Sequence, residues 1–133
     1  MIVGVADTHV AIWYLYDDPK LSRAASDFID GAVRSGGKIA ISSISLIEIV
    51  YLVEKLRLPQ EVYSDLRAAL AAMRHVFVEF PVNVEVSAYM RLIPRETIPD
   101  MPDRIIAATA LLLKVPVLSA DSRIHDSNLD IIW

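Results

Sequence analysis

Residues 2–15 read IVGVADTHVAIWYL, and this stretch decides the fold. Residues 2–6 form a short apolar run of strand length that ends at Asp7, and residues 8–16 have the composition of a helix. In α/β proteins the ligand site lies at the carboxyl ends of parallel strands. An acid placed where a strand gives way to a helix therefore suggests both a fold class and the position of a site.

The same alternation of strand and helix continues along the chain. Further strands are predicted at residues 38–42, 75–80, 115–119 and 130–133. Further helices are predicted at residues 22–34, 45–56, 59–73, 83–92 and 102–114, and the proline-rich residues 93–102 are predicted to form a surface loop. The pattern favours a three-layer α/β/α architecture around a mostly parallel sheet of about five strands. With no repeat or linker, residues 1–133 are expected to be a single domain.

Composition narrows the classes of protein. The chain has 54% hydrophobic residues, no cysteine, and 17 acids against 13 Lys and Arg, for a net charge of −4. A disulfide framework and a thiolate metal site are excluded, and a non-specific nucleic-acid coat protein is disfavoured. No apolar segment approaches the roughly 20 residues of a membrane span, and the N-terminus lacks the features of a signal peptide. A cytoplasmic protein without a membrane partner is expected.

Three carboxylates stand at places where a strand ends or a helix begins. Asp7 follows the first strand, Asp103 lies in the first turn after Pro102, and Asp121 follows the fourth strand. Each has an ordinary alternative role, because Asp is a common N-cap and complements the helix dipole in a first turn. Taken one at a time, these residues do not establish a site.

Glu48 is harder to explain by helix capping. It is the only charged residue between Ser42 and Val53, and its helical neighbours include Ile44, Tyr51 and Leu52. A charge among apolar residues is costly unless it is paired with a cation or protonated. We therefore expect Glu48 to have a functional partner.

Parallel strands open at one edge of a sheet, so Asp7, Glu48 and Asp121 are expected to face one crevice that the Asp103 helix closes. Carboxylates brought together repel one another, and a hard divalent cation relieves that repulsion. Mg²⁺ or Mn²⁺ suits an oxygen-only ligand set and can activate water for attack on phosphate. The residues alone thus predict a divalent-metal site that acts on a phosphate ester.

The chain also resembles a known family, the PIN domain, and within it the VapC-type toxins. Four segments in the family's order and spacing carry the likeness: VADTHVAIWYL, SSISLIEIVYLVEK, PDRIIAATALLLKVPVLSAD and LDIIW. The family's acidic quartet falls on Asp7, Glu48, Asp103 and Asp121. Asp100 and Ser119 are possible auxiliary residues, although the segment around Asp100 matches the related loop motif only in part.

The resemblance implies a Mg²⁺- or Mn²⁺-dependent endoribonuclease that is the toxin of a VapBC-type pair. It also implies a homodimer inhibited by a small VapB-type antitoxin, which places a helix and an Arg in the active groove. The alternative is a catalytically inactive PIN-like module that binds RNA or protein. A haloacid-type phosphatase is disfavoured because His9 stands where a second Asp is needed, and a receiver domain because no Asp follows the third strand.

Other residues leave their roles open. His9 could touch RNA but is expected to pack, and Arg104 could contact phosphate or pair with an acid. Aromatic residues on the first and third helices could form either a partner surface or core; they are Trp13, Tyr14, Tyr16 and Tyr51. Arginines beside the predicted crevice could guide an RNA backbone or face solvent; they are Arg91, Arg95 and Arg123.

Overall fold

The computed structural model describes residues 1–125 and 129–133. The strands are β1 (Ile2–Ala6), β2 (Lys38–Ser42), β3 (Phe77–Phe80), β4 (Val117–Leu118) and β5 (Ile131–Ile132). The helices are α1 (Thr8–Leu15), α2 (Arg23–Ser35), α3 (Ser43–Glu54), α4 (Glu61–Ala71), α5 (Val84–Met90), α6 (Met101–Leu113) and α7 (Ser122–His125). The expected α/β class is confirmed.

The described strands form one parallel sheet in the order β3-β2-β1-β4-β5. From β1, the next two strands in the chain, β2 and β3, extend the sheet toward one edge. The following strand, β4, pairs with the other side of β1. Such a reversal opens a crevice at the carboxyl ends of the two strands that flank it. Here those strands are β1, which ends before Asp7, and β4, which ends before Ser119.

Side chains alternate between the two faces of the sheet, as the pleat of a strand requires. Ala6 and Leu118 join a core shared with α1, α2 and α4, whereas Val5 and Val117 join a second core built largely by α5 and α6. All four side chains are fully buried. The central strands are therefore covered on both faces, which accounts for the mean hydropathy of +0.41.

Local sequence chemistry fixes the ends of the helices. Ser22 caps α2 by accepting from the Ala25 N–H, and Gly36 ends the helix at φ 76°. Asn83 caps α5 as expected, since its side chain accepts from the Val86 N–H. Asp100 caps α6 in the same way, with Pro102 in the first turn.

The predicted elements are present, with several boundaries shifted. β4 covers two residues rather than the predicted 115–119, because Pro116 has no N–H to donate and Lys114 is left-handed at φ 57°. β3 starts at Phe77 instead of residue 75, and the Phe77 N–H donates to the His75 ring at 3.0 Å. The short helix α7 was not predicted. No helix among the described residues is both long enough and apolar enough to cross a membrane.

Residues 93–102 are not simply a surface loop. Ile93 and Ile98 are buried, and both join the core beneath α5 and α6. The segment is thereby fixed against the domain just before α6 begins, and it sets the position of the first turn of that helix.

Candidate functional site

A cleft of about 510 Å³ opens at the carboxyl edge of the sheet, where the strand order reverses. It is lined by side chains from the first turns of three helices, from α3, and from the segment after β4. The lining residues are Asp7, Thr8, His9, Trp13, Glu48, Asp100, Asp103, Ala120, Asp121 and Arg123. All four acids of the predicted quartet thus line one cleft, together with Asp100.

Asp7 is both a helix cap and a cleft residue. Its Oδ1 accepts a hydrogen bond of 2.9 Å from the Val10 N–H, and its own N–H donates to the Leu118 carbonyl at 3.0 Å. The side chain is only 7% exposed. Burial raises the pKa of Asp7, and hydrogen bonds from Ser119 and the Val10 N–H work against that rise. The capping alternative therefore does not compete with a functional role.

Ser119 connects Asp7 to Asp121. Its buried hydroxyl accepts from the Asp121 N–H at 3.0 Å, and it lies near enough to Asp7 to oppose the rise in the pKa of that carboxyl group. The carboxylate of Asp121 accepts from the Arg123 N–H at 2.8 Å and so begins α7. Ser119 is thus in a position to orient two acids at once.

Asp103 has a strongly raised pKa. Burial, followed by the charges of Asp100 and Asp121, raises its pKa to about 8. Its carboxyl group also lies close to that of Asp121, and this proximity contributes to the raised pKa of Asp103. Asp100 accepts from the Asp103 N–H at 3.1 Å, so its capping role is visible here. The acids are close enough to repel one another, as the sequence predicted.

Glu48 is held by Thr8 and Ser45. Thr8 Oγ1 lies 2.6 Å from Glu48 Oε1 and 2.8 Å from Ser45 Oγ. Because a hydroxyl has one hydrogen and a carboxylate only accepts, Thr8 donates to Glu48 and accepts from Ser45. Both hydroxyl residues are buried. Sequence reasoning missed them, although Ser45 lies one helical turn before Glu48 on the same face of α3.

The expected apolar enclosure of Glu48 is only partly found. Ile44 is buried, but Tyr51, one turn further along α3, is 61% exposed, and Glu48 itself is half-buried at the cleft. The polar groups near Glu48 are the hydroxyls of Thr8 on α1 and Ser45 on α3. They are not at the helix positions of Ile44, Tyr51 and Leu52.

The donor set fits a hard divalent cation. Within residues 1–125 and 129–133, no three Asp, Glu or His side chains converge closely enough to form a complete metal cage by themselves. Mg²⁺ does not need one, because it usually retains several waters and binds through one or two carboxylates plus substrate phosphates. The adjacent pair Asp103 and Asp121, with Asp7 held nearby by Ser119, supplies such oxygen ligands.

Arg104 has neither of the two roles considered from the sequence. Its guanidinium donates to the carbonyls of Ile93 and Met90, each at 3.0 Å. These carbonyls lie at and just beyond the end of α5, so Arg104 ties that end to the first turn of α6. The side chain is structural and stands directly beside Asp103.

The aromatic and basic candidates divide between the cleft and the rest of the surface. His9 is exposed and lines the cleft, so its expected packing role is confined to a ring contact with Trp13 at 5.8 Å. Tyr14 packs against the core, whereas Tyr16 is 46% exposed and bonds Asp65. Arg123 lines the cleft, but the exposed Arg91 and Arg95 are not among its described lining residues.

Comparisons with known proteins give the family and the fold of the chain. The chain is 29% identical over 127 residues to Ribonuclease VapC22 of Mycobacterium tuberculosis, covering 94% of this chain and 92% of that protein. Its fold matches DNA-bound VapBC from Salmonella typhimurium at a TM-score of 0.70 and 18% identity, covering 98% and 97% of the two chains. VapBC2 from Rickettsia felis, bound to a promoter DNA fragment, matches at a TM-score of 0.69 and 18% identity, covering 99% and 100%. The sequence model of the PIN domain matches residues 5–128. The chain therefore belongs to the PIN domain family.

Proposed function

We propose that this protein is a Mg²⁺- or Mn²⁺-dependent endoribonuclease and the toxin of a VapBC-type toxin–antitoxin pair. The observation that carries the proposal is the meeting of Asp7, Glu48, Asp103 and Asp121 in one cleft where the strand order reverses. The similarity to Ribonuclease VapC22 supports RNA as the substrate class.

Electrostatics explains why a cation belongs to the proposal. Asp7, Glu48, Asp100, Asp103 and Asp121 line the cleft, whereas Arg123 is the only Lys or Arg among its described lining residues. A phosphodiester would be repelled by that surface without added positive charge. A divalent ion bound there supplies that charge and lowers the pKa of water. Asp7, Asp103 and Asp121 would hold it, with Glu48 as a further ligand, directly or through water.

The residues around the acids have positioning roles in this scheme. Thr8 and Ser45 fix Glu48, while Ser119 fixes Asp7 and the backbone of Asp121. The water oxygen attacks phosphorus, and the bond from phosphorus to one bridging ribose oxygen breaks. One of the carboxylates accepts the water proton, and the leaving oxygen takes up a proton from solvent. Asp100 is proposed only as the cap of α6, which holds Asp103 in place.

The test uses isosteric substitutions that remove charge and keep the fold. Asp7→Asn retains an N-cap for α1, since Asn caps as well as Asp. Asp7→Asn, Glu48→Gln, Asp103→Asn and Asp121→Asn are each expected to abolish cleavage of total RNA in Mg²⁺ or Mn²⁺, and EDTA is expected to stop the wild type.

The matched control is Asp27→Asn, the same chemical change at an exposed position of α2. It should cleave at the wild-type rate. Circular dichroism would show that each inactive variant is folded. If Asp7→Asn or Asp103→Asn cut RNA as fast as the wild type, the proposed site would be wrong.

A catalytically inactive PIN module that binds RNA or protein is the second candidate. The lack of a ready three-ligand cage among the described residues favours it. Calorimetric titration with Mn²⁺ separates the two candidates. Binding that is lost in Asp103→Asn supports the nuclease, and no binding to the wild type supports the inactive module.

The partners are also part of the proposal. The related structures include toxin–antitoxin complexes, which supports a VapB-type antitoxin as the inhibitor of this chain. Ile47, Val50 and Tyr51 expose apolar surface on α3, beside the turn that carries Glu48. A homodimer is expected from the family resemblance, and light scattering at several concentrations would measure it.

A further inference from the structure

One wall of the acidic cleft is aromatic. His9 and Trp13 are one helical turn apart on α1 and both line the cleft. Their ring centroids are 5.8 Å apart, and Trp13 is 5.8 Å from Trp133, which follows β5. We call His9, Trp13 and Trp133 the aromatic platform. It lies at the same edge of the sheet as the acids.

The side chains of the aromatic platform are more exposed than those of the hydrophobic core. Trp13 is only half-buried, His9 is exposed and Trp133 is 36% exposed, while the buried side of α1 is made by Val10, Ala11 and Ile12. Trp133 contacts Trp13 from the end of β5, so two separate elements hold the indole of Trp13 in place. The three rings are tilted by 47° from one to the next, so each presents its own face. The half-buried indole of Trp13, at the side of a polar cleft, is suited to stacking with a flat ligand.

We infer that the aromatic platform stacks an unpaired nucleobase of the RNA, next to the phosphodiester that lies over the acids. This inference rests on the proposed function. Stacking on aromatic side chains is the common way in which proteins hold single-stranded nucleic acid, and it tolerates any base. A base inside a duplex has both faces covered by its neighbours, so the platform selects single-stranded segments.

Charge supports a nucleotide over a polypeptide side chain at this place. Arg123 lines the same cleft and can contact a phosphate, while the acids with their cation take the neighbouring one. A single nucleotide step places its base beside, rather than over, its phosphate. The cleft offers both kinds of group, because the acids and the side chains of His9 and Trp13 line it together.

The kinetic test compares a short single-stranded RNA that holds one mapped cleavage site with the same RNA lacking the base beside that site. Trp13→Ala is expected to lower kcat/KM on the intact RNA about tenfold, mainly through KM, because a stacked base contributes on that scale. Trp13→Phe should retain most of the activity. On the abasic RNA, wild type and Trp13→Ala should be equal. Tyr16→Ala, at the residue directly after α1 and outside the described cleft lining, should match the wild type on both RNAs.

A binding test separates this inference from the proposed hydrolysis. Trp13 and Trp133 are the only tryptophans of the chain, so intrinsic emission reports on the platform alone. Single-stranded RNA should quench the emission of the Asp103→Asn protein saturably, and the same sequence in a duplex should not. Saturable quenching, combined with a wild type that does not cleave RNA, would support the aromatic platform and overturn the proposed nuclease. Cleavage without quenching, or an equal loss by Trp13→Ala on intact and abasic RNA, would overturn the platform.

Discussion

Thr8 Oγ1 and Glu48 Oε1 are 2.6 Å apart, although 40 residues separate them in the chain. The contact joins the first turn of α1, next to Asp7, to the middle of α3. Ser45 completes it from the same face of α3. Two of the proposed acidic ligands are therefore positioned relative to each other through a pair of buried hydroxyl groups.

Replacing Thr8 tests that connection. Thr8→Val keeps the shape of the side chain but removes the donor to Glu48, so kcat is expected to fall about tenfold or more through misplacement of the carboxylate. Thr8→Ser, which restores the hydroxyl, should recover most of the rate. Initial rates on one RNA substrate measure both, and an unchanged rate in Thr8→Val would show that Glu48 needs no such support.

Ser119 provides a second test of positioning. Ser119→Ala removes the hydroxyl that opposes the rise in the pKa of Asp7, and it removes the acceptor for the Asp121 N–H. Weaker binding of Mn²⁺ by calorimetry and slower cleavage are expected, whereas Ser119→Thr should behave as the wild type. Ser87→Ala, an exposed serine on α5 that bonds only the Val84 carbonyl within its own helix, is the control. Equal Mn²⁺ affinity in Ser119→Ala and the control would show that Ser119 does not support metal binding.

Asp103 predicts how the stability of the metal-free protein varies with pH. Its pKa is raised from 3.8 to about 8 in the folded state, so folding favours the protonated carboxyl. The stabilisation is fully present below about pH 4 and is lost as the pH rises through about 8. Asp103→Asn cannot ionise. In EDTA it is expected to melt a few degrees above the wild type at pH 9 and with a smaller difference at pH 6.

Added Mg²⁺ should narrow that difference at pH 9, because the cation offsets the repulsion only where the carboxylate is present. Thermal melts followed by circular dichroism compare the wild type with Asp103→Asn at pH 6 and at pH 9, each with and without Mg²⁺. A wild type that is as stable as Asp103→Asn at every pH would contradict the crowding of the acids.

Arg104 is expected to affect stability more than chemistry. Arg104→Ala removes two charge-assisted hydrogen bonds to the Ile93 and Met90 carbonyls, and the free energy of unfolding should fall by about 2 kcal/mol. Lys cannot reproduce the two-pronged geometry of the guanidinium, so Arg104→Lys should recover little. Urea denaturation measures the loss, with the exposed Arg95→Ala as control. A loss as small as that of the control would show that the two carbonyl contacts do not hold α5 to α6.

The sequence predicts the sheet well because its signals are local. The buried strands are short apolar runs, and the acids at strand ends follow from the shared carboxyl edge of parallel strands. Pro116 could have been used to shorten β4, since a proline cannot donate to its neighbour. Glu48 lines the cleft, but the assumption that apolar residues enclose it on α3 failed, because Tyr51 faces solvent.

What the sequence does not predict depends on contacts between distant segments. The roles of Thr8 and Ser45 arise only when α1 packs against α3. The periodic pattern of apolar residues in the sequence does not predict that packing. Arg104 was expected to contact phosphate or to pair with an acid because it follows Asp103. Its guanidinium instead reaches the carbonyls of Ile93 and Met90 at the end of α5. Ile98 lies between prolines in a segment that reads as loop, and its complete burial follows from the tertiary packing.

The strand order also has a consequence for synthesis of the chain. The central strand β1 is made before its neighbour β4 and the acid Asp121, and most of the described domain lies between them in the chain. The cleft therefore cannot form until the segment that holds β4 has left the ribosome. Until then a growing chain carries Asp7 and Glu48 without Asp121, and the proposed site is incomplete during synthesis of the domain.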